Sequence, residues 1–391
     1  MEQKFIPLSV PNLKGNELKY VTQAVETEWV STGGPYVTDF ESVVAQYVKA
    51  PGAVSCQNGT SGIHIALILS GVTQNDIVIV PSLTFIAAVN PVRYVGAEPI
   101  FMDCDDTLGL DPEKLREFCK SECSLEDGKL IDNATGKHIK AVVVVHVFGN
   151  IANMTELLEI ATTYNLTVIE DATEAIGSYF LDGPYKGMHA GALGHFGIYS
   201  FNGNKIITTG GGGMIVSPDI GQLQHAKHLT TQAKSDEVNF YHDEIGFNYR
   251  MTNLQAALGL AQMEQLETFI HTKITNYQYY TEQIATIEHI SMLPFREDIR
   301  SNRWFYSLYL EEGFPLSRDE VIAAFSKQKI QTRPIWGLIN EQIPYKGFRS
   351  FKIEKALEYQ KRIVNVPCST NLDTSDIDRV VACLKDMVRK S

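Results

Sequence analysis

The chain has 391 residues, of which 44% are hydrophobic, 20% charged and 10% aromatic. This composition is typical of a folded protein of about two to three domains, and it excludes a disulfide-stapled mini-protein and a chain disordered throughout. The 46 acidic residues exceed the 34 basic ones and give a net charge of −12, which disfavours nucleic acid and membrane surfaces as partners.

The six cysteines are too sparse for a disulfide framework, so we expect reduced thiols. Cys119 and Cys123 are spaced for adjacent turns of a helix, but no second Cys or His pair lies nearby in the sequence to complete a zinc shell. Residues 1–15 lack the apolar run of a signal peptide, and no later run reaches the roughly 18 apolar residues of a membrane span. We therefore expect a cytoplasmic protein without membrane contact.

Short apolar runs alternate with turn residues and helical patterns through the first 250 residues, which is typical of an α/β domain with a mainly parallel sheet. The run of valines at 142–145 predicts a central strand that is buried on both faces, since a half-exposed strand would alternate. The predicted strands are 53–56, 77–80, 99–103, 140–147, 167–170, 196–201 and 213–216.

Helical patterns and one polar insertion fill the intervals between these strands. A helix is predicted at 155–164, and another follows Thr252 with an apolar stripe that continues to Leu266. The polar stretch 122–140 contains two glycines and predicts an exposed hairpin or loop.

The remaining chain predicts a smaller α/β unit. It begins with a long helix and continues with a strand at 304–310, a helix at 318–327 and a closing helix after Thr374. We therefore divide the chain into a large domain, 1–266, and a small C-terminal domain, 267–391.

The first functional signal is the polar turn QNGTSG at 57–62, between a predicted strand and an apolar helical pattern. Backbone N–H groups at the start of a helix can hold a phosphate without a lysine, and Gly59, Thr60 and Ser61 are the candidate contacts. The turn lacks the spacing of a Walker A or GxGxxG motif, which argues against nucleoside triphosphates and nicotinamide cofactors. A capped turn without a ligand explains the same residues.

Two further polar residues follow later strands. Asp171 comes directly after 167–170, at the carboxyl edge of a parallel sheet, where ligands bind in such folds. Lys205 lies between the strand 196–201 and a run of four glycines, and a partly desolvated amine there can attack an aldehyde. Taken alone, Lys205 is better explained as a solvated loop lysine. An anion site, an acid and a reactive amine together are what pyridoxal 5′-phosphate requires.

Five segments together resemble the DegT/DnrJ/EryC1/StrS family of sugar-nucleotide aminotransferases. The segments are QNGTSGIHIAL (57–67), VPSLTFIAAVNPV (80–92), EDATEAIGS (170–178), SFNGNKIITTGGGG (200–213) and GFNYRMTNLQAALGLAQMEQLE (246–267). The resemblance spans nearly the whole chain and is greatest to the branch of the legionaminic acid and bacillosamine pathways. It implies the fold type I of pyridoxal-phosphate-dependent transferases, similar to aspartate aminotransferase, with a seven-stranded, mainly parallel sheet in the large domain.

The resemblance also implies roles for single residues. Lys205 bonds covalently to the cofactor and moves the substrate proton, and Asp171 keeps the pyridine nitrogen protonated. The phosphate contacts are Gly59, Thr60, Ser61 and Ser200, the ring contact is Phe85, and Asn248 reaches the cofactor of the other subunit. The family thus implies an obligate homodimer with shared active sites. Core packing for Phe85, a strand position without a contact for Ser200 and a turn for Asn248 are the competing interpretations.

The sequence departs from the family pattern at two positions and keeps it at a third. Glu174 stands where many relatives carry Gln or His beside the cofactor's phenolic oxygen, so its carboxyl is protonated, bonded to substrate or turned away. Gly211 replaces a Glu that many members carry. Lys205 is kept where the family's sugar dehydratases have His, which favours transamination.

The resemblance implies transfer of an amino group from glutamate to C4 of a UDP- or GDP-linked 4-keto-6-deoxy sugar in bacterial surface-glycan synthesis. A 3-aminotransferase or a dehydratase of the same family is the alternative. A non-catalytic regulator that binds nucleotide sugars is the alternative of another class, although no basic helix-turn-helix segment is apparent.

Arginines and tryptophans are the candidates for binding the sugar nucleotide. Guanidinium groups pair with diphosphates and indole rings stack on bases, although a structural or solvated role competes for each residue. The candidates are Arg250, Arg303, Arg333, Trp304 and Trp336. No metal is expected, because the candidate histidines lack ligand spacing with nearby acids. These histidines are His146, His189, His195, His225 and His228.

Overall fold

The computed structural model describes residues 4–236 and 238–389. Its strands are β1 (Ala53–Cys56), β2 (Asp76–Pro81), β3 (Glu98–Met102), β4 (Cys123–Glu126), β5 (Lys129–Asp132), β6 (His138–Val145), β7 (Thr167–Asp171), β8 (Tyr179–Phe180), β9 (Phe196–Ser200), β10 (Gly213–Val216), β11 (Lys234–Asp236), β12 (Tyr241–His242), β13 (Ile290–Met292), β14 (Ile299–Arg300), β15 (Tyr306–Leu310), β16 (Arg333–Pro334), β17 (Ser350–Phe351) and β18 (Ile363–Val366).

Helices cover the strands and connect them. They are α1 (Glu17–Glu26), α2 (Pro35–Val48), α3 (Gly59–Leu69), α4 (Asn90–Tyr94), α5 (Pro112–Ser121), α6 (Met154–Tyr164), α7 (Ile220–Thr230), α8 (Asn253–Met263), α9 (Leu266–Ile284), α10 (Arg318–Lys327), α11 (Lys355–Arg362) and α12 (Thr374–Arg389). None of these helices, within the described residues, has the length and apolar character that a membrane span needs.

One large sheet contains the seven strands that the sequence predicts, but it has ten strands within the described residues, because β4, β5 and β17 join it and the sequence prediction of seven did not include them. The main path has the order β1-β10-β9-β7-β6-β2-β3-β17, and β4 and β5 extend from β6 beside it. The strands from β9 to β17 run parallel, whereas β10 is antiparallel to both of its neighbours. The prediction of a buried central strand is confirmed, because the valines at 142–145 in β6 are at most 3% exposed. The α/β class with a mainly parallel sheet is likewise confirmed, and the carboxyl ends of β2, β6, β7 and β9 meet at one edge.

Several element boundaries differ from the prediction. The central strand ends at Val145, and the next residues form a 3₁₀ turn that contains Phe148 at φ +57°. The helix after Thr252 ends at Met263, and Leu266 begins a new helix. Thr252 and Gln255 form the reciprocal side-chain bonds of a capping box at the start of α8, which explains why that end was predictable.

The stretch 122–140 contains the predicted hairpin, formed by β4 and β5. Asp127 and Gly128 both have positive φ at the turn, as a two-residue hairpin connection requires. The prediction that Cys119 and Cys123 lie on adjacent turns of one helix was wrong. The helix α5 ends at Ser121 and Cys123 begins β4, because pairing of the hairpin with β6 outweighs the helical spacing.

The chain beyond α8 builds a second sheet in the order β13-β15-β18-β16, and it also returns to the large sheet. There, β17 pairs in parallel with β3 at the sheet edge. Asp103, which follows β3, accepts the backbone N–H groups of residues 354–356 at the start of α11 and pairs with Lys114 Nζ at 2.6 Å. The division of the chain at residue 267 stays a prediction.

A second junction between the two sheets involves Asn302. Its side-chain amide donates to the carbonyl oxygens of Glu174 and Ile176, and its Oδ1 accepts the N–H of Trp304 at 3.0 Å. Gly149 has φ +84°, and a Cβ at that residue would lie 1.9 Å from Asn302 Oδ1, so only glycine fits there. The loop after β7 is thereby fixed relative to Trp304.

Candidate active site

A cavity of about 360 Å³ opens at the carboxyl edge of the large sheet. Its size is in the range of small-molecule sites. Polar turns at the ends of the large-sheet strands form most of its wall, and aromatic side chains from the second part of the chain complete it. The lining residues are Asn58, Gly59, Thr60, Ile63, Thr84, Phe85, Ala87, Ala88, Val145, Asp171, Thr173, Glu174, Ser200, Asn202, Asn204, Lys205, Trp304, Phe305 and Trp336.

The N-terminus of α3 lies in the cavity wall. Asn58 caps this helix by accepting the N–H of Ser61 at 2.8 Å and its hydroxyl at 3.0 Å. Gly59 and Thr60 line the cavity, and a Cβ on Gly59 would lie 2.7 Å from the Thr173 methyl carbon, so the backbone is bare there. This arrangement matches an anion cradle, since Gly59 and Thr60 line the cavity at the helix N-terminus, whereas Ser61 bonds to the cap residue Asn58.

Asp171 ends β7 and lines the cavity at 5% exposure. Its Oδ1 accepts the N–H of Thr173 at 3.0 Å. Burial raises the pKa of Asp171, and the hydrogen bonds from Thr173 and the charge of Lys205 oppose that rise. Because a positive charge favours the ionised form of this buried carboxyl, a cationic group inside the cavity would pair strongly with Asp171.

The preceding residue, Glu170, points to the other face of the sheet and is fully buried. It accepts the N–H groups of Gly191 and Leu193 and pairs with His146 Nε2 at 2.8 Å. Since His146 Nδ1 accepts the N–H of Ala152, its Nε2 carries the proton and donates it to Glu170. This buried pair fixes the end of β7, and the sequence analysis missed it.

Lys205 lies on the turn after β9, and its side chain is only 13% exposed. The Nζ is 4.2 Å from the centroid of the Trp304 indole ring and 3.5 Å from Glu174 Oε1. Trp304 Nε1 donates to the Asn204 carbonyl at 2.8 Å, which ties the indole to the turn that carries the lysine. The structure thus places Lys205 in the cavity rather than in solvent, and the contact with Trp304 was not predicted.

Glu174 faces Lys205 with one carboxyl oxygen and accepts the Phe148 N–H with the other at 2.8 Å. Burial raises the pKa of Glu174 to about 7, although the positive charge of Lys205 and the Phe148 hydrogen bond act in the opposite direction. This carboxyl can therefore take up or release a proton near neutral pH.

Aromatic rings form a further part of the cavity wall. Phe85 is 54% exposed and borders the cavity, so its interpretation as a core residue was wrong. Trp304 and Phe305 are stacked with centroids 4.0 Å apart, and Trp336 packs on Phe148 at 5.0 Å. Ser200 ends β9 next to Gly59 and lines the cavity at 7% exposure.

The structure does not bring the predicted arginines to the cavity. Arg250 lies 3.4 Å from the buried Glu41, Arg303 packs between the rings of Tyr277 and Phe295, and Arg333 is exposed on β16. Each arginine has a structural or solvent-facing position, which the sequence analysis had weighed as the alternative. Asn248 is exposed and pairs with Thr231, and its contact with a second subunit stays a prediction.

One statement about histidines was wrong. His228 does lie near acids at ligand spacing, because its Nε2 and carboxylate oxygens of Asp243 and Glu244 are within 4.8 Å of one another. The acids are 15 and 16 residues further along the chain, and the hairpin of β11 and β12 brings them back to α7.

A model of the DegT/DnrJ/EryC1/StrS aminotransferase family matches residues 11–385. The GDP-perosamine synthase of Caulobacter vibrioides is 36% identical in an alignment of 390 positions that covers 98% of this chain and 98% of that protein. The putative pyridoxal phosphate-dependent aminotransferase EpsN of Bacillus subtilis is 34% identical, over 97% of this chain and 95% of that protein.

Solved structures show the same fold. The aminotransferase PseC of Helicobacter pylori, involved in the biosynthesis of pseudoaminic acid, superposes with a TM-score of 0.87 at 19% identity. The superposition covers 99% of this chain and 100% of that chain.

The chain therefore belongs to the DegT/DnrJ/EryC1/StrS aminotransferase family and is a pyridoxal-phosphate-dependent aminotransferase. The predictions of the family, fold type I, the enzyme class and the cofactor are confirmed. The predicted branch and the roles of single residues stay predictions.

Replacement of Glu174 by Gln should change how stability depends on pH. The folded-state pKa of about 7 lies above the ordinary 4.5, so the folded chain binds the proton more tightly than the unfolded chain. Wild type therefore loses stability as the pH rises between those values, whereas glutamine does not titrate. We expect the free energy of unfolding of Glu174→Gln, relative to wild type, to rise by at most about 3 kcal/mol between about pH 5 and about pH 8.

Urea denaturation of the cofactor-free enzyme at a fixed protein concentration measures this difference. Glu312→Gln, at an exposed position, is the control and should follow wild type at every pH. Parallel pH profiles for Glu174→Gln and wild type would contradict the prediction.

Proposed function

We propose that this enzyme transfers an amino group from glutamate to C4 of a nucleotide-linked 4-keto-6-deoxy sugar, in the cytoplasm, for the synthesis of surface glycans. The observation that carries the proposal is that Lys205, Asp171 and the N-terminus of α3 border one cavity. The similarity to a GDP-perosamine synthase favours a GDP-linked over a UDP-linked acceptor.

The residues around the cavity fit pyridoxal 5′-phosphate. The helix N-terminus at Gly59 and Thr60, together with the Ser200 hydroxyl, would hold the phosphate. Phe85 offers an exposed aromatic face, and Gly59 leaves the backbone at the start of α3 without a side chain, because a Cβ there would lie 2.7 Å from the Thr173 methyl carbon. When bound, this cofactor supplies an electron sink that stabilises the charge left on a carbon after its proton is removed.

Asp171 would pair with the ring nitrogen. A carboxylate at hydrogen-bond distance raises the pKa of a basic nitrogen and keeps it protonated. Because Asp171 is buried and held by Thr173, its charge is aimed into the cavity rather than screened by water.

Lys205 would bond to the cofactor through its Nζ. When that nitrogen is free again, it would take up and deliver the proton of the substrate. Glu174 is 3.5 Å from that nitrogen, so it can stabilise the ammonium form when the amine is free. Trp304 covers the same atom and limits the access of water. Together these three side chains keep the proton near the reacting carbon.

We propose that a second copy of the chain completes the site. Lys205 is the only cationic side chain among the described residues that line the cavity, whereas glutamate and a sugar diphosphate bring several negative charges. Val238, Phe240 and Ile245 precede Asn248 and are 83%, 70% and 88% exposed, as expected for a surface that a partner covers. This supports a homodimer in which the partner completes the site.

A panel of acceptors tests the proposed function. The purified enzyme, supplied with ¹⁵N-glutamate, should aminate a GDP-linked 4-keto-6-deoxy sugar and place ¹⁵N on C4, as read by NMR of the product. A UDP-linked 4-keto sugar is the parallel acceptor, and a Lys205→Ala variant is the inactive control. Nitrogen on C3 would establish the 3-aminotransferase alternative, and a deoxygenated product without nitrogen would establish the dehydratase.

Asp171→Asn should retain the cofactor but lose turnover. Asparagine keeps the shape of the side chain and removes the charge, so the ring nitrogen is no longer held protonated. We expect the rate to fall by about 100-fold or more, measured as glutamate-dependent loss of the absorption of the lysine-bound cofactor. Near-normal rates would show that Asp171 has another role.

Lys205 should carry the covalent link to the cofactor. Borohydride reduction of the loaded enzyme followed by peptide mass mapping should locate a pyridoxyl group on Lys205. Lys205→Arg keeps the positive charge beside Glu174 and should yield no adduct. An adduct on another lysine in wild type would overturn the assignment.

A further inference from the structure

Three potential metal ligands, His228, Asp243 and Glu244, meet on the exposed side of α7, away from the cavity, and a fourth, His225, adjoins Glu244. His225 and His228 are three residues apart on this helix and therefore share a face. His225 Nε2 is 2.9 Å from Glu244 Oε1, and His228 Nε2 is 2.7 Å from Asp243 Oδ1. We name these four residues the α7 His–acid cluster.

The charge of the cluster favours a divalent cation. Two carboxylates bring a charge of −2, which one such ion neutralises, and imidazoles bind metal ions in their neutral form. The nearby lysines face other groups, since Lys227 Nζ is 3.7 Å from Glu41 and Lys234 lies over the ring of Phe240. Two imidazole nitrogens and two carboxylate oxygens form a ligand set that Zn²⁺ accepts in four-coordinate sites.

Three of the four ligands are already close to one another, because His228, Asp243 and Glu244 each offer a ligand atom within 4.8 Å of the other two, whereas His225 must turn from Glu244 toward them. Zinc bonds of about 2.0 to 2.1 Å place neighbouring ligand atoms about 3.3 Å apart, so each hydrogen-bonded pair must open by a few tenths of an ångström. The side chains can make this adjustment because they are between 26% and 55% exposed. The metal would take the place of the shared hydrogens.

We propose that His225, His228, Asp243 and Glu244 bind one Zn²⁺ ion, which fastens the chain after β12 to α7. This part of the chain has little packing of its own, as the exposure of Phe240 and Ile245 shows. It leads directly to Asn248, so a bound ion would also limit the positions of that residue. The site does not depend on the proposed sugar substrate.

Zinc binding tests the proposal directly. The full-length, tag-free enzyme loaded with its cofactor is treated with a chelator, dialysed and titrated with ZnCl₂ in a calorimeter. We expect one zinc ion per chain and a zinc-dependent rise in the thermal midpoint. Titration with Co²⁺ should produce the visible absorption bands of a four-coordinate ion.

Two variants assign the ligands. His228→Ala removes one nitrogen, and Asp243→Asn keeps the size of the side chain while removing its charge. We expect each variant to weaken zinc affinity by about 100-fold or more, because the loss of a ligand exceeds the effect of losing a hydrogen bond to one. His271→Ala, at an exposed position of α9, is the matched control and should bind zinc like wild type.

Two results would overturn the proposal. One is the absence of zinc binding by wild type at millimolar metal. The other is unchanged binding by the His228→Ala/Asp243→Asn double variant, which would place the metal at thiols or at another surface group. Failure of either kind leaves the aminotransferase assignment intact, because that assignment is tested with sugar nucleotides.

Discussion

The active site depends on the balance between two buried carboxyl groups and one ammonium. Asp171 and Glu174 are both about 5% exposed, and Lys205 is the cation that their cavity offers among the described residues. Burial raises the pKa of both carboxyls, and the charge of Lys205 opposes that rise. An enzyme that must remove a proton from one carbon and deliver it to another gains from a carboxyl that can exchange a proton near neutral pH, as Glu174 can.

The parallel sheet explains how distant residues form that balance. Gly59, Asp171 and Lys205 follow three different strands, and the common direction of those strands brings their ends to one edge. The second part of the chain contributes Trp304, which Asn302 anchors to the carbonyl of Glu174. The sheet geometry thus positions Gly59, Asp171 and Lys205, and the hydrogen bonds of Asn302 position Trp304 over them.

The strand ends could be predicted from the sequence because local signals mark them. A valine run identifies β6, and polar residues directly after apolar runs identify Asp171 and Lys205. The environment of the arginines could not be predicted, since Glu41 reaches Arg250 from α2, far away in the chain, and the rings of Tyr277 and Phe295 reach Arg303 only through the fold of α9 and the loop that follows β13. The contact of Trp304 with Lys205 could not be predicted either. The sequence suggested Trp304 only as a residue that stacks on a base, and its position over Lys205 depends on the junction at Asn302. The approach of Asp243 to His228 required the path of a hairpin whose register the sequence does not specify.

The return of β17 to the edge of the large sheet bears on attempts to build chimeric enzymes. Residues 350 and 351 cover β3, and Asp103 beside them caps α11. Suppose that residues 267–391 were replaced by a segment of a relative that does not pair with β3. The exchange would then remove this edge strand and leave the backbone of β3 open to pairing with other molecules. Grafts that retain residues 350–356 with the first 266 residues should stay dispersed in solution, whereas those without them should aggregate.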